Sequence, residues 1–294
     1  MENKIHIAVV NFKTVWGNKN ENLKAIEEYC YKAYKKGVEM IVFPETALTG
    51  YTNETNKEFK DKMHVRLAET IPGYSTGIIA ELAKKYQMYI IFGMPERDVE
   101  DEFVVYNSAA IIHPNGKIES YRKIHLPFDE KEWATEGNQP LVIDTKWGPV
   151  GISICYDTYC FPELLRYYRA KGTRLILNVT ACPDISCTRG SAILSIPAYA
   201  FINYVFIASA NLVGQEKQNN FMGGSGVIGP AIGECKTYVG HMFGDENSNF
   251  QEMLDGIVDL SLADKNAEIP IFRFDENNKR DWKKELYKKM LEDC

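Results

Sequence analysis

Residues 150–163 read Val150-Gly151-Ile152-Ser153-Ile154-Cys155-Tyr156-Asp157-Thr158-Tyr159-Cys160-Phe161-Pro162-Glu163, and this stretch decides how the chain is understood. Val150 to Ile154 is an apolar run of strand length. Phe161-Pro162-Glu163 starts a helix, with proline in the first turn where its missing N–H does no harm, and Gly172 ends it. Cys155 therefore stands where a buried strand stops, shortly before a helix N-terminus. That is the placement of a nucleophile elbow: a sharp turn exposes the sulfur, and nearby backbone N–H groups can stabilise a thiolate and an oxyanion. A buried structural cysteine is the commoner meaning of one Cys after a strand, so the reading needs company elsewhere.

Working outward, helix-period and strand-like segments alternate throughout. Residues 5–10 predict a strand. Residues 20–36 predict an amphipathic helix with Leu23, Ile26, Cys30 and Ala33 on one face and Gly37 as its stop. A buried strand follows from Met40 to Phe43. Pro72-Gly73 opens a helix to about Tyr86, and Met88 to Gly93 is another strand. Residues 103–122 predict a hairpin, with Asn115-Gly116 supplying the positive φ angles of its turn. Lys36-Gly37 precedes the strand ending at Phe43, and Lys171-Gly172 precedes Leu175 to Val179 about 135 residues later, a faint echo of two similar halves about a pseudo-twofold. Gly190 to Gln215 carries no charge, yet its Ser and Asn residues and Pro197 argue against a membrane span and for a buried helix followed by a buried strand, with Asn211 to Gly214 as a turn. A charged helix from about Lys279 carries Trp282, Leu286 and Met290 at spacing four, a stripe read as intramolecular packing. With no linker, a single domain is expected.

The 294 residues hold 34 Lys and Arg against 40 Asp and Glu, a net charge of −6, with 45% hydrophobic residues. Such a chain can bury a sizeable core, lacks the basic footprint of a nucleic-acid binder and is repelled by anionic lipid. A small-molecule partner is favoured, with neither nucleic acid nor membrane. Seven scattered cysteines cannot all pair within one molecule, and the first residues lack a signal-peptide pattern, so a reducing cytoplasm is expected.

Two further segments put reactive groups at strand ends. Glu45 directly follows the buried strand Ile41-Val42-Phe43, where desolvation raises a carboxyl group's proton affinity and suits it to general base work; helix capping or a local ion pair explains it equally well. In Tyr121-Arg122-Lys123-Ile124-His125-Leu126-Pro127, strand alternation sends Arg122 and Lys123 to opposite sides, so one can point inward with a partner, most simply a structural ion pair. Cys155/Cys160 and Cys182/Cys187 share a C-x₄-C spacing, but no histidine pair accompanies them, so no metal is expected. There is no G-x-S-x-G and no phosphate-binding glycine loop, and no cofactor is expected.

Taken together the segments resemble the carbon–nitrogen hydrolase (nitrilase) superfamily. The likeness runs from about residue 5 to 260 and includes Phe43-Pro44-Glu45 with Thr49-Gly50-Tyr51, Arg122-Lys123 with His125-Leu126, and Glu136-Gly137-Asn138. It continues with Gly151, Cys155-Tyr156-Asp157 and Phe161-Pro162-Glu163, then Ala210-Asn211 with Val213-Gly214, and Gly224-Ser225. The resemblance implies an α/β fold, a four-layer α-β-β-α sandwich filling residues 1–270 with 271–294 as a charged extension, commonly paired into a homodimer or larger homo-oligomer through its helices. It implies Cys155 as nucleophile, Glu45 as general base and later acid, and Lys123 with the Tyr156 N–H at the oxyanion. Glu130 matches a second glutamate near the nucleophile, with Glu132 as its rival. Tyr51, Phe128, Trp133, Tyr156, Tyr159, Thr180 and Ala181 are the expected substrate-binding residues. On this reading Lys123→Ala impairs chemistry more than folding.

Two departures fall outside the triad. Ala198-Tyr199-Ala200-Phe201-Ile202-Asn203 lacks the Arg and Glu many members carry there, and Asp275 to Arg280 replaces a usual Arg-Arg-Pro. Cys-Tyr-Asp resembles amidase branches, and Thr158-Tyr159-Cys160 lacks the arginine that branches binding a substrate carboxylate place after the nucleophile. A small, uncharged linear amide is therefore expected, although Arg189 could reach a carboxylate. The alternatives are hydrolysis of N-carbamoyl amino acids or amines, an inactive scaffold, and a papain-like pairing of Cys155 with His125.

Overall fold

The computed structural model describes residues 1–232, 237–245, 247–264 and 283–293. Strands β1 (Lys4–Asn11), β2 (Met40–Val42), β3 (Tyr89–Arg97), β4 (Val105–Ile112) and β5 (Ile118–Arg122) form one sheet with the late strand β14 (Glu252–Asp259), in the order β14-β1-β2-β3-β4-β5. The second six-stranded sheet runs β13-β12-β9-β8-β7-β6, built from β6 (Leu141–Thr145), β7 (Gly148–Ile154), β8 (Leu175–Thr180), β9 (Phe206–Asn211), β12 (Gly226–Ile232) and β13 (Thr237–Gly244). A small hairpin, β10 (Val213–Glu216) and β11 (Asn219–Met222), stands apart.

The two sheets repeat one plan. In the first, β1, β2 and β3 are parallel and their neighbours antiparallel. In the second, β7, β8 and β9 are parallel and flanked the same way. The central strands β2 and β8 start at Met40 and Leu175, 175 − 40 = 135 residues apart, so the faint sequence echo is a real topological repeat.

Alternation along β1 shows how the layers stack. Ile5, Ile7 and Val9 join Met40, Val42, Ile152 and Leu177 in a core between the sheets. Ala8, Val10 and Phe12 point the other way, into a cluster with α1 (Lys19–Lys35) and α3 (Tyr74–Tyr86). The far side of the second sheet carries α5 (Pro162–Ala170) and α6 (Ser186–Asn203). A Cβ on Gly151 would lie 2.7 Å from the Tyr168 ring, so only glycine lets β7 and α5 pack this closely. The result is the expected single-domain α-β-β-α sandwich.

Four expectations need correction. The uncharged stretch forms α6 and β9, but α6 is buried on one side only, leaving Leu194 73% and Phe201 56% exposed. Asn211 to Gly214 is no turn: the chain passes from β9 directly into β10. In the β4–β5 hairpin only Gly116 has positive φ, because the loop is longer than a two-residue turn. At the C-terminus α7 (Lys284–Asp293) is present, but Leu286 and Met290 are exposed rather than packed; Lys279 and Trp282 lie outside the described residues. No helix among the described residues is long and apolar enough to cross a membrane.

Candidate active site

Four strand ends meet at one edge of the sandwich. β7 ends at Ile154, and Cys155 follows with φ +48° and ψ −103°, a backbone conformation that side chains rarely adopt. Its N–H donates to the Val179 carbonyl (3.0 Å) and Asn178 Oδ1 (3.1 Å), which hold the turn against β8. A short helix, α4 (Tyr156–Cys160), begins immediately after the cysteine, earlier than the sequence suggests. The Tyr156 N–H, first of that helix, has no intrahelical acceptor.

Glu45 sits in the turn after β2. The chain there crosses β3 so closely that a Cβ on Gly93 would lie 2.3 Å from the Thr46 nitrogen and 2.5 Å from the Glu45 Cα. Glu45 Oε2 accepts the Ala181 N–H at 2.8 Å, a bond from the end of β8. Lys123 leaves β5 on the inward side, while Arg122 turns outward onto Glu96 and the Tyr106 ring, as alternation requires. Gly137 donates its N–H to the Lys123 carbonyl at 2.7 Å, and a Cβ there would strike the Arg122 carbonyl.

Lys123 Nζ lies 2.7 Å from Glu45 Oε1 and 2.8 Å from Glu130 Oε2, and all three side chains are buried. Burial alone favours a neutral amine, but the Glu130 and Glu45 carboxylates outweigh it and raise the Lys123 pKa. Burial pushes the Glu130 carboxyl up to about 7, with Glu45 adding to the rise and Lys123 and Asn107 opposing it. Glu130 also accepts the Tyr51 hydroxyl at 3.0 Å. The rival Glu132 is part-exposed and pairs with Lys62 instead. Burial and the Glu45 charge push the Cys155 thiol well up; Lys123 and a hydrogen bond with Thr180 pull the other way.

Asp157 locks these pieces together. Its carboxylate accepts the Tyr121 hydroxyl (2.7 Å), the N–H groups of Ile124 and His125 (3.2 and 2.9 Å), and His125 Nδ1 (2.8 Å). The His125 ring lies flat on Phe161. His125 thus braces the loop carrying Lys123.

Cys155 and Glu130 line a cavity of about 330 Å³. Of the residues expected to bind substrate, Tyr51, Phe128, Trp133, Tyr156, Tyr159 and Ala181 line it too. Phe128 stands at the rim, 81% exposed, and the Trp133 ring is stacked on His64. Thr180 does not reach the cavity: it is buried behind Tyr159, whose hydroxyl it accepts at 2.9 Å. Cys160 and Cys182 also line the cavity, with Asn53, Asp129, Gln218 and Asn219 adding polar edges. No Lys, Arg or His is among the described lining residues, and the Arg189 side chain lies outside them. The sequence reading missed Asn107, Asp157 as a brace, and Glu216, which accepts the Tyr51 and Thr52 N–H groups and holds the Tyr51 loop against β10. Gly50, with φ +94°, leaves room for that carboxylate. Among the described residues no cluster of three or more His, Cys, Asp or Glu is arranged for a metal ion.

Two parallel-stranded halves packed into an α-β-β-α sandwich, with a cysteine at a strained strand-to-helix turn beside a buried Glu-Lys-Glu cluster, define the nitrilase class of fold. The carbon-nitrogen hydrolase family model matches residues 6–233, and the chain belongs to that family of enzymes. A probable nitrilase of Schizosaccharomyces pombe is 30% identical over 230 residues, covering 77% of this chain and 81% of that protein. An omega-amidase of Xenopus laevis is 30% identical over 290 residues, covering 94% and 96%. Among solved structures, the Nit3 protein of Saccharomyces cerevisiae matches with a TM-score of 0.78 at 22% identity, covering 93% of this chain and 97% of that one.

Proposed function

We propose that this enzyme hydrolyses the C–N bond of a small linear amide to a carboxylate and ammonia or an amine, through a thioester on Cys155. The reading is carried by one observation: Cys155, at its strained turn, lines the cavity together with Glu130, whose carboxylate shares the buried Lys123 with Glu45. With the resting thiol pushed up, it holds its proton until attack. Glu45 then takes that proton as sulfur bonds to the amide carbon, and the oxyanion is held by Lys123 and the Tyr156 N–H. Glu45 returns the proton to nitrogen, the C–N bond breaks and ammonia or amine leaves. A water molecule gives its proton to Glu45 and adds to the thioester. Collapse breaks the C–S bond, frees the acid and restores the thiol. Glu130, joined to Lys123 and facing the cavity, orients the amide.

The absence of a cation among the described lining residues supports an uncharged acyl group. The competing readings are N-carbamoyl compounds and, from the name of the Xenopus relative, ω-amides. Ammonia release should be measured across neutral amides, ω-amides, N-carbamoyl amino acids and nitriles, with Cys155→Ala as blank. Preference for neutral amides is expected. A strong preference for carboxylate-bearing substrates overturns the substrate class, and an active Cys155→Ala overturns the mechanism. The reactive thiol suits a reducing cytoplasm, and the exposed apolar side chains of α5, α6 and α7 suit pairing of two copies.

A further inference from the structure

Asn107, in the middle of β4, belongs to none of the roles above, yet the site converges on it. Its backbone carbonyl accepts the Lys123 N–H at 2.8 Å. Its side chain is fully buried, and Nδ2 donates to Glu45 Oε1 at 2.7 Å and to Glu130 Oε1 at 2.8 Å. One NH₂ group thus spends each of its hydrogens on a different carboxylate. Its Oδ1 finds no hydrogen-bond donor among the described residues. Turning the amide over would aim that oxygen at two carboxylates, so the orientation is forced.

The distribution of donors on Glu45 has a chemical consequence. Oε1 accepts from both Lys123 Nζ and Asn107 Nδ2, which occupies its two lone pairs, whereas Oε2 accepts only the Ala181 N–H. Oε2 keeps the open lone pair. On Glu130, Oε1 accepts from Asn107, and Oε2 accepts from Lys123 and Tyr51.

We propose that Asn107 is a positioning residue for the reaction: by giving one amide hydrogen to each carboxylate it makes Glu45 Oε2 the oxygen that takes the Cys155 proton and keeps Glu130 an acceptor for Lys123. The proposal rests on the Glu45-Lys123-Cys155 reading above. The charged and titratable groups around Glu130 are Lys123 just after β5, Glu45 from the β2 turn, Tyr51 from the loop beyond it, and Cys155, which follows β7 and lines the same cavity. On its own turn Asp129 lies at the edge of the same cavity beside Asn53, and Glu132 points to Lys62.

Asn107→Leu keeps the branched outline and removes both donated hydrogens. Losing a hydrogen bond to the ionised form raises a carboxyl pKa. The acidic limb of the kcat/KM profile should therefore move to higher pH, by about one unit, with kcat down about 100-fold and KM little changed. Asn107→Ser restores one donor and should recover part of both effects. Iodoacetamide labelling of Cys155, followed against pH, should shift in the same direction without needing a substrate. An unmoved pH profile with near-normal kcat in a destabilised Asn107→Leu, or failure of both variants to fold, would assign Asn107 to the core alone and overturn the proposal. Loss of activity in Cys155→Ala alongside a normal Asn107→Leu sinks this inference only; an active Cys155→Ala sinks the mechanism beneath it.

Discussion

Lys123 lies between two buried carboxylates and has no exposed surface. The sequence reading expects its removal to harm chemistry more than folding, but the geometry corrects this: Lys123→Ala strands two buried acids without a cation, a change that typically costs about 3–5 kcal/mol. Loss of the proposed oxyanion donor adds a kcat decrease of about 10²–10³. The two losses separate by pH. Without the lysine the Glu130 carboxyl pKa rises further above its unfolded value, so its stabilising contribution is complete below that value and is lost as pH climbs through the folded one. Denaturant melts of Lys123→Ala should therefore fall further below the native protein at pH 8 than at pH 5. Glu130 follows the same sign in the intact enzyme. Raised from 4.5 to about 7, it contributes stability that is complete below about 4.5 and disappears as pH rises through about 7. The stability difference between the native protein and Glu130→Gln should shrink across that window in paired urea titrations; a constant difference refutes the assignment.

At the scale of elements, the crossing of the Glu45 turn over β3 is a tight constraint on the site. Gly93→Ala would push the turn outward, and because a displacement of about 1 Å at a reacting group can cost about 100-fold, kcat should fall by that order while the far-UV circular dichroism stays native. Much of this architecture is legible from residues alone. The apolar runs of β1, β2, β7 and β8 and the stripe of α1 are strong periodic signals, and glutamate and cysteine each sit just past such a run, whereas the lysine follows the more polar β5. Other parts are hidden for physical reasons. β14 alternates weakly because its side chains are half-buried, yet it pairs along the whole of β1. Spacing cannot choose between Glu130 and Glu132; the short turn Phe128–Glu132 does so by pointing one inward and the other at Lys62. Asn107 reads as an ordinary strand residue because its partners are 62 and 23 positions away. Its only sequence trace is that Asn107-Ser108 interrupts an otherwise apolar run.

Across the whole molecule, apolar surface is unevenly spread. Tyr167 on α5, Leu194 and Phe201 on α6, and Leu286, Met290 and Leu291 on α7 are all exposed. Monomeric proteins seldom leave so many large apolar side chains uncovered on neighbouring helices. Light scattering should find the protein as a dimer or larger at micromolar concentration, and a Leu194→Glu/Phe201→Glu double variant should shift toward monomer. A monomeric native protein would remove the proposed assembly. One contact within the monomer bears on how the enzyme fails. Asp157, just after the strand that leads into Cys155, accepts the hydroxyl of Tyr121 in β5 and the backbone N–H groups of Ile124 and His125 in the loop that follows Lys123. The clip ties the spacing between sheets to the alignment of the reacting groups. Heating therefore leaves no loosened but working form: the curve of lost turnover should overlay the curve of lost structure.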